Sequence, residues 1–272
     1  MKLNICGCNQ GQRGDLIMNT VVARAIKEKF PSSHFSLGIN KRYGDMKELF
    51  YLHPYIDSIT VWDGYDNWPT QNDINCTKKF DIVLHPMPRH PNDHCWYNLI
   101  NRQTEASCIM NGFVPPKDLS CYLNRYFNLD GKYKDCVCIS PFTAWDKKNI
   151  SNKKWQEIID YITNKGYNVI QIGDRNEFKF KNTEKINCSY FESVKVMLSC
   201  RFLITLDGGM NWVSSAYQHK TLGLMGLHYD NLKSSELYQP INKNARYLES
   251  NTAENIDNKI IFNQMDLLLN EN

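Results

Sequence analysis

The chain of 272 residues is long enough to bury a substantial core, and its length favours two domains of about 130 residues each. Its 32 Lys and Arg against 29 Asp and Glu give a formal net charge of +3, spread along the chain, which does not favour a nucleic-acid-binding protein. With no run of about 18 apolar residues and no signal-peptide pattern at its start, we expect a soluble, cytoplasmic protein.

The ten cysteines favour reduced thiols over a disulfide framework. Cys6 and Cys8, and likewise Cys136 and Cys138, are separated by one residue within apolar runs, so each pair is expected on one face of a strand. Because no Cys-x-x-Cys is present, these pairs indicate buried thiols and not a zinc site.

The chain opens with a strand, a glycine-containing loop and a helix. Lys2–Cys8 is an apolar strand, and helical spacing of apolar residues predicts a helix over Leu16–Phe30, which Pro31 ends. Asp15 falls at the helix N-terminus, where it is expected to act as an N-cap, a role compatible with a functional carboxylate. The elements that follow are the strand His34–Ile39, the short helix Tyr43–Tyr51, the strands Ile56–Val61 and Phe80–Leu84, and the helices Trp96–Glu105 and Ala106–Gly112.

A segment rich in His and Pro, residues 85–94, follows the fourth strand. Parallel sheets bind ligands beyond the carboxyl ends of their strands, so the segment either faces a substrate or is simply solvated. The spacing of His85, His90 and His94, with no neighbouring Cys ligand pair, is a poor zinc pattern, and we expect no metal site.

The second half repeats the alternation of strands and helices. Residues 114–134, with Pro115-Pro116, have the composition of a connecting segment. Beyond it come the strand Cys136–Ser140, the helix Ser151–Lys165 with Ser151 as N-cap, a strand that ends at Gly173-Asp174, the helix Phe191–Cys200, the strand Phe202–Leu206, the helix Trp212–Gln218, the strand Thr221–Met225 and the amphipathic helix Ala253–Leu269.

Asp207-Gly208-Gly209 lies between an apolar strand and a helix. Such a turn brings backbone N–H groups and a helix N-terminus to a bound phosphate or ribose, although many such turns merely connect a strand to a helix. The whole pattern predicts an α/β protein with two Rossmann-like, doubly wound domains facing a central cleft. We expect them at residues 1–128 and 129–255, with a C-terminal helix at 256–272 packing back toward the first domain.

An ordered set of motifs resembles glycosyltransferase family 9, the ADP-heptose:lipopolysaccharide heptosyltransferases. The set runs along nearly the whole chain. It comprises Gly14-Asp15-Leu-Ile-Met-Asn-Thr20, His53-Pro-Tyr-Ile-Asp-Ser-Ile59, Phe80-Asp-Ile-Val-Leu84, the loop before Trp155 that carries Lys147 and Lys148 (the lysine loop), Gly166-Tyr-Asn-Val169 and Leu206-Asp-Gly-Gly-Met210.

The resemblance implies a GT-B fold whose N-terminal domain binds the acceptor and whose C-terminal domain binds the nucleotide sugar. It also implies inverting, metal-independent transfer without a cofactor, from a donor expected to be ADP-linked, to a saccharide or lipopolysaccharide-like glycolipid. Asp15 matches the family's catalytic base. The implied donor-binding residues are Thr143, Lys148, Asp174, Glu177, Cys188, Asp207, Gly208, Gly209 and Met210, and the implied acceptor-side residues are Arg13, Gly14, Asn19, Arg89 and His90.

Three departures from the family pattern leave open which sugar and which nucleotide base the donor carries. Trp212 stands where family members usually carry His, Gly226-Leu-His228 replaces Gly-Pro-Thr, and Ile150-Ser151 replaces Trp-Pro. Two alternatives stay open: a non-catalytic module that binds nucleotide sugars, and a glycosyltransferase that modifies DNA bases, which would need a basic groove.

The sequence leaves the oligomeric state open, and the lysines at positions 132, 134, 147 and 148 are candidates for peripheral contact with the inner face of a membrane.

Overall fold

A computed structural model describes residues 2–8, 12–62, 79–84, 103–226 and 240–271. The chain divides into two compact units, Met1–Arg125 and Tyr126–Asn272. The predicted helix over 96–105 lies mostly outside the described residues. Arg89 and His90, the other histidines of their segment, and the Leu227–Asp230 part of the last loop lie entirely outside them.

The first unit is built on a parallel four-stranded sheet in the order β3-β2-β1-β4. Helix α1 contributes one side of the core, with Leu16, Ile17, Val21 and Ile26 fully buried. This agrees with the helical spacing of apolar residues in the sequence. The elements are β1 (Asn4–Cys8), α1 (Arg13–Lys29), β2 (His34–Asn40), a 3₁₀ helix (Lys41–Phe50), β3 (Ser58–Trp62), β4 (Ile82–Leu84) and α2 (Gln103–Met110).

Helix α1 begins earlier than its apolar pattern predicts. Its N-cap is Gln12, so Asp15 occupies the third helical position and is not the N-cap. The Asp15 carboxylate accepts a hydrogen bond from the Gln12 backbone N–H, with 2.5 Å between Oδ2 and N. A carboxylate three residues into a helix satisfies an N–H group at the helix start that has no intrahelical partner, and this polar contact lets the helix extend beyond the apolar stripe.

The second unit is built on a parallel six-stranded sheet in the order β10-β9-β8-β5-β6-β7. The ten strands of the described residues therefore lie in parallel sheets, and the predicted α/β class with two Rossmann-like units is confirmed. The elements are β5 (Cys136–Ser140), a 3₁₀ turn (Asp146–Lys148), α3 (Asn152–Asn164), β6 (Asn168–Ile172), β7 (Thr183–Ile186), α4 (Tyr190–Ser199), β8 (Phe202–Leu206), α5 (Gly209–Ala216), β9 (Thr221–Gly226), β10 (Ala245–Ser250), a 3₁₀ turn (Ala253–Asn255) and α6 (Asn258–Asn270).

The core of the second unit forms where α3 and α6 cover the central strands. Trp155 of α3 is fully buried, and its indole N–H donates to the Pro141 carbonyl at 3.0 Å. Helix α6 packs on α3 through stacked rings of Tyr161 and Phe262, whose centroids are 4.1 Å apart. The terminal helix thus contributes to the core of its own unit, with Met265 fully buried.

The second unit differs from the prediction at two strands and at the starts of two helices. The strands β7 and β10 were not expected, because Thr183–Ile186 and Ala245–Ser250, at the two edges of the sheet, show neither a continuous apolar run nor a regular alternation. Helix α5 begins at Gly209 and not at Trp212. The terminal helix begins at Asn258, because Asp257 caps it by accepting from the Lys259 N–H, and a separate 3₁₀ turn precedes it.

Cysteines in the described part of the chain are free thiols, and Cys6, Cys136 and Cys138 are buried as expected. Burial raises the pKa of the Cys138 thiol well above its ordinary value. Within the same residues, no helix combines the length and the apolar character that crossing a membrane requires.

Candidate active site

The loop that follows β5 is closed by hydrogen bonds between Thr143 and Asn149. The Thr143 N–H donates to Asn149 Oδ1 at 2.8 Å, and Asn149 Nδ2 donates back to the Thr143 carbonyl at 3.3 Å. Thr143 Oγ1 also donates to the Trp145 carbonyl at 3.0 Å. These short-range bonds hold the backbone of residues 143–149 in one arrangement, from which Lys148 projects.

Lys148 forms an ion pair with Asp207, which follows β8. Lys148 Nζ lies 2.6 Å from Asp207 Oδ2, and the two side chains are 23% and 7% exposed. Because β5 and β8 are parallel neighbours, the residues after both strands meet at one edge of the sheet. A lysine on a flexible stem is thereby held at a largely buried carboxylate, with an ammonium group that has three N–H donors.

Trp145 supplies a second contact to the same ammonium group. Lys148 Nζ lies 5.1 Å from the centroid of the Trp145 ring, within the range of a cation–π contact. The Trp145 side chain is 44% exposed, so the loop presents a large apolar surface beside Lys148. The ammonium group is therefore positioned by a charge and by an aromatic ring.

Gly208 and Gly209 place the start of α5 beside this ion pair. Gly208 is the N-cap in an extended conformation, Gly209 is the first helical residue, and Met210 is the buried second one. The first N–H groups of a helix have no acceptor within it, and the helix dipole favours an anion there. A Cβ added to Gly208 would lie 3.2 Å from Thr143 Cγ2, so the turn also packs closely on the Thr143 loop.

Asp174 and Glu177 lie beyond β6, the next strand along the same edge. Asp174 Oδ1 accepts from the Asn176 N–H at 3.0 Å, which fixes a local turn. The Glu177 carboxylate folds back onto the end of β6. Its Oε2 lies 1.9 Å from the position that a Cβ atom on Gly173 would occupy. Both carboxylates are at the edge where the sequence predicted them, with a ribose role for Glu177 still a prediction.

Cys188 lies beyond β7 at the end of the same edge. It is partly buried, and its Sγ is 3.3 Å from Ser193 Oγ. Ser189 beside it caps α4 by accepting from the Glu192 N–H. The structure joins Thr143, Lys148, Asp207 and Gly208 by direct contacts, whereas Asp174, Glu177 and Cys188 have contacts of their own along the edge.

The first unit holds Asp15 in the first turn of α1. Its carboxylate bonds to the N-cap Gln12, whose Oε1 in turn accepts from the Tyr43 hydroxyl at 2.7 Å. Burial raises the pKa of the Tyr43 hydroxyl, nearby arginine charges oppose that rise, and the charge of Asp15 adds to it. Asp15 is therefore a negatively charged group set in a network with Tyr43.

The remaining predicted acceptor-side residues divide into two sets. Arg13 forms an ion pair with Asp45 at 3.3 Å, and Gly14 is buried in α1. Asn19 lies one helical turn after Asp15, is 2% exposed, and its amide atoms have no hydrogen-bond partner among the described residues. Arg89 and His90 lie outside the described residues.

Metal-ligating side chains are not grouped in the described part of the chain: it contains no cluster of three or more His, Cys, Asp or Glu able to hold an ion.

Sequence reasoning missed four residues that support this site. Trp145 and Asn149 shape the lysine loop, and Asn211 and Tyr247 lie beneath the glycine turn. The signal for Trp145 was a tryptophan only three residues before Lys148. For Tyr247 the signal was Gly223, a glycine in the middle of an apolar strand, which marks a close approach by another group.

Comparison with solved structures shows which fold the chain adopts. The chain resembles a glycosyl transferase family 9 protein from Veillonella parvula DSM 2008, with a TM-score of 0.71 and 15% identity over 98% of this chain and 97% of that one. It resembles the E. coli ADP-heptose lps heptosyltransferase II, with a TM-score of 0.70 and 14% identity over 99% and 98% of the two chains. For the E. coli heptosyltransferase WaaC with ADP, the TM-score is 0.71 and the identity 13%, over 98% and 100%. The fold is that of the GT-B glycosyltransferases.

The family follows from the sequence itself. The model of glycosyltransferase family 9 (heptosyltransferase) matches residues 116–262, more than half of the chain, and the chain therefore belongs to this family. It is a glycosyltransferase of the heptosyltransferase type, as the motif resemblance implied. A search of curated proteins returned no significant match.

Proposed function

We propose that this glycosyltransferase moves a heptose or another hexose-like sugar from a nucleoside diphosphate donor to a hydroxyl group of a saccharide or lipopolysaccharide-like acceptor. Two of the similar structures have names that mention ADP or ADP-heptose, which supports an ADP-linked donor here. The transfer inverts the anomeric centre and needs neither a metal ion nor a cofactor. The observation that carries the proposal is the Lys148–Asp207 pair at the start of α5.

The donor diphosphate needs cations and N–H donors because negative charge builds on it as the sugar leaves. Lys148 supplies the cation, with Asp207 and the Trp145 ring holding its ammonium group in place. The N–H groups at Gly208 and Gly209 supply directed donors at a helix N-terminus. Together these groups take over the charge neutralisation that a metal ion provides in other transferases.

The acceptor hydroxyl needs a base, and Asp15 is the residue assigned to that role. In the proposed step the acceptor oxygen bonds to the anomeric carbon while the bond from that carbon to the diphosphate oxygen breaks. The acceptor proton passes to the Asp15 carboxylate, and the bonding electron pair leaves with the diphosphate. Attack from the face opposite the leaving group gives inversion.

A binding screen without metal tests the donor assignment. The purified protein, in the presence of EDTA, is melted with ADP, UDP, GDP or CMP and with their common sugar conjugates. Binding to the folded state raises the melting temperature by mass action. We expect the largest shift with ADP or an ADP-sugar. A shift only after Mg²⁺ is added would contradict metal independence, and no shift with any nucleotide would contradict the donor site.

The stereochemistry is tested with the donor that the screen identifies. The anomeric configuration of the product, read from its one-bond C–H coupling by NMR, should be opposite to that of the donor. Retention of configuration would contradict a single displacement with Asp15 as base.

A further inference from the structure

A buried polar pair lies beneath the first turn of α5. The Tyr247 hydroxyl of β10 donates to Asn211 Oδ1 at 3.2 Å. Asn211 is fully buried as the third residue of α5. The pair joins the edge strand of the sheet to the helix whose N-terminus lies beside Lys148 and Asp207.

A glycine in β9 makes room for this contact. Gly223 pairs with Tyr247 across the two strands, and a Cβ on Gly223 would lie only 2.5 Å from the Tyr247 ring. No side chain larger than hydrogen fits there unless the ring moves. Strand β9 therefore has no side chain at Gly223. The Tyr247 ring lies in that space, and its hydroxyl reaches α5.

Asn211 connects this pair to the glycine turn through its backbone. The Asn211 N–H donates to the Gly208 carbonyl at 3.1 Å, closing the first turn of α5 on its N-cap. The side chain of the same residue is held from below by Tyr247. A displacement of Asn211 would thus move the Gly208 carbonyl and the N–H donors that follow it.

The Asn211 amide also carries a donor that no described residue satisfies. Its Nδ2 is buried and has no hydrogen-bond partner among the described residues. A buried donor without a hydrogen-bond partner lowers the free energy of unfolding, and such groups are uncommon in folded proteins. The Tyr247 hydroxyl stays protonated as a donor, because burial, and to a lesser extent the charge of Asp207, raise its pKa.

We propose that Tyr247 and Asn211 are positioning residues for the donor diphosphate. The Tyr247 hydroxyl holds Asn211, and Asn211 holds the Asp207-Gly208-Gly209 turn in the arrangement that binds the two phosphates. Neither residue touches the donor in this role. The inference rests on the proposed function, since it assumes that the turn binds a diphosphate.

Removal of a single hydroxyl group tests the inference. Tyr247→Phe keeps the ring above Gly223 and removes only the donor to Asn211. Tyr161→Phe is the matched control, because the Tyr161 hydroxyl of the same unit donates to Asp266 at 2.8 Å, on helix α6. Each variant is titrated calorimetrically with whichever of ADP, UDP and GDP the wild type binds most tightly, and donor KM, kcat and melting temperature are measured.

We expect Tyr247→Phe to weaken nucleotide binding and raise donor KM by about 3- to 20-fold, with kcat changed less than KM. Tyr161→Phe should bind the nucleotide as the wild type does. In a double-mutant cycle with Asn211→Ala, the two effects on binding should be less than additive, because Tyr247 acts through Asn211.

Wild-type affinity in Tyr247→Phe, or fully additive effects in the cycle, would overturn the inference alone. An equal loss of affinity in both tyrosine variants, tracking their melting temperatures, would also overturn it by marking a purely structural role. If the wild type binds none of the nucleoside diphosphates, the proposed function fails and the inference fails with it.

Discussion

The glycine-turn region of the second unit and the start of α1 in the first unit hold their functional groups in different ways. Lys148 and Asp207 are 59 residues apart in sequence, and Tyr247 and Asn211 are 36 apart. Asp15, in contrast, is fixed by a bond to Gln12 only three residues away. The groups proposed to bind phosphate therefore depend on the tertiary fold of a whole unit, whereas the bond from the Gln12 N–H to the Asp15 carboxylate lies within one helical turn.

This difference indicates which properties a substitution should change. A change in the long-range network should alter donor affinity and stability together, because the same contacts serve both. A change at Asp15 should alter chemistry while leaving the distant network intact. Three predictions test this separation, from the largest expected effect to the smallest, and a fourth compares the acid stability of the two units.

Asp15→Asn should lower kcat by about 10²- to 10⁴-fold, because the amide cannot accept the acceptor proton. The amide oxygen can still accept from the Gln12 N–H, so the helix start should persist. Initial rates at saturating donor, with nucleotide affinity from calorimetry, measure the effect. Asp118→Asn is the control, since that carboxylate also accepts from a backbone N–H in the same unit. A loss of nucleotide affinity equal to the loss of kcat would contradict a separate role for Asp15.

Lys148→Ala should weaken nucleotide diphosphate binding by about 10- to 100-fold and lower kcat/KM with it, because a charge-assisted contact to phosphate is lost. The melting temperature should also fall, since Asp207 is left as a buried charge without its partner. Lys147→Ala, in the same 3₁₀ turn but exposed, is the matched control. Adding Asp207→Asn to Lys148→Ala should restore stability without restoring affinity; recovery of both would show that Lys148 acts only structurally.

Gly208→Ala should weaken nucleotide binding by roughly 2- to 5-fold. The added methyl group would press on Thr143 Cγ2 from 3.2 Å and displace the lysine loop by a few tenths of an ångström. The backbone itself should tolerate alanine, because Gly208 is extended. Gly131→Ala, where no atom lies within 4 Å of the added carbon, should leave binding unchanged. Equal affinities for the two variants would show that the contact between turn and loop has no effect on the donor.

Each unit contains a buried neutral histidine, so acid should destabilise both. Burial lowers the pKa of His53 to about 4, and burial together with the charge of Lys220 lowers that of His219 to about 4. Between pH 6.5 and 4 the unfolded chain binds protons that the folded chain excludes, so the free energy of unfolding falls as the pH falls. For His53 the loss from pH 7 to pH 5 should be roughly 1–2 kcal/mol.

Denaturant unfolding at pH 7 and pH 5 measures that loss. His53→Gln should reduce the pH dependence of the first unit, while His34→Gln, at a partly buried position in the same unit, is the control. An unchanged pH dependence in His53→Gln would contradict the role of this ring. A change confined to one of two separable transitions would assign the effect to the first unit.

The sequence predicted the α/β fold and the strand ends at which the candidate residues lie, because both depend on local patterns. The apolar spacing of α1 and the Leu206-Asp207-Gly208 transition appear in single short segments. Contacts between distant segments left no such pattern: nothing near Tyr247 indicates Asn211. The start of α1 was misplaced for a related reason, since the polar bond from Gln12 to Asp15 extends the helix beyond its apolar residues.

The Lys148–Asp207 contact also bears on how the reaction cycle ends. Asp207 is an internal anion in contact with the Lys148 ammonium group. Under the proposed reaction, the nucleoside diphosphate product must compete with Asp207 for Lys148, and that competition favours its departure. The contact that prepares the enzyme for one turnover would thus limit product inhibition in the next.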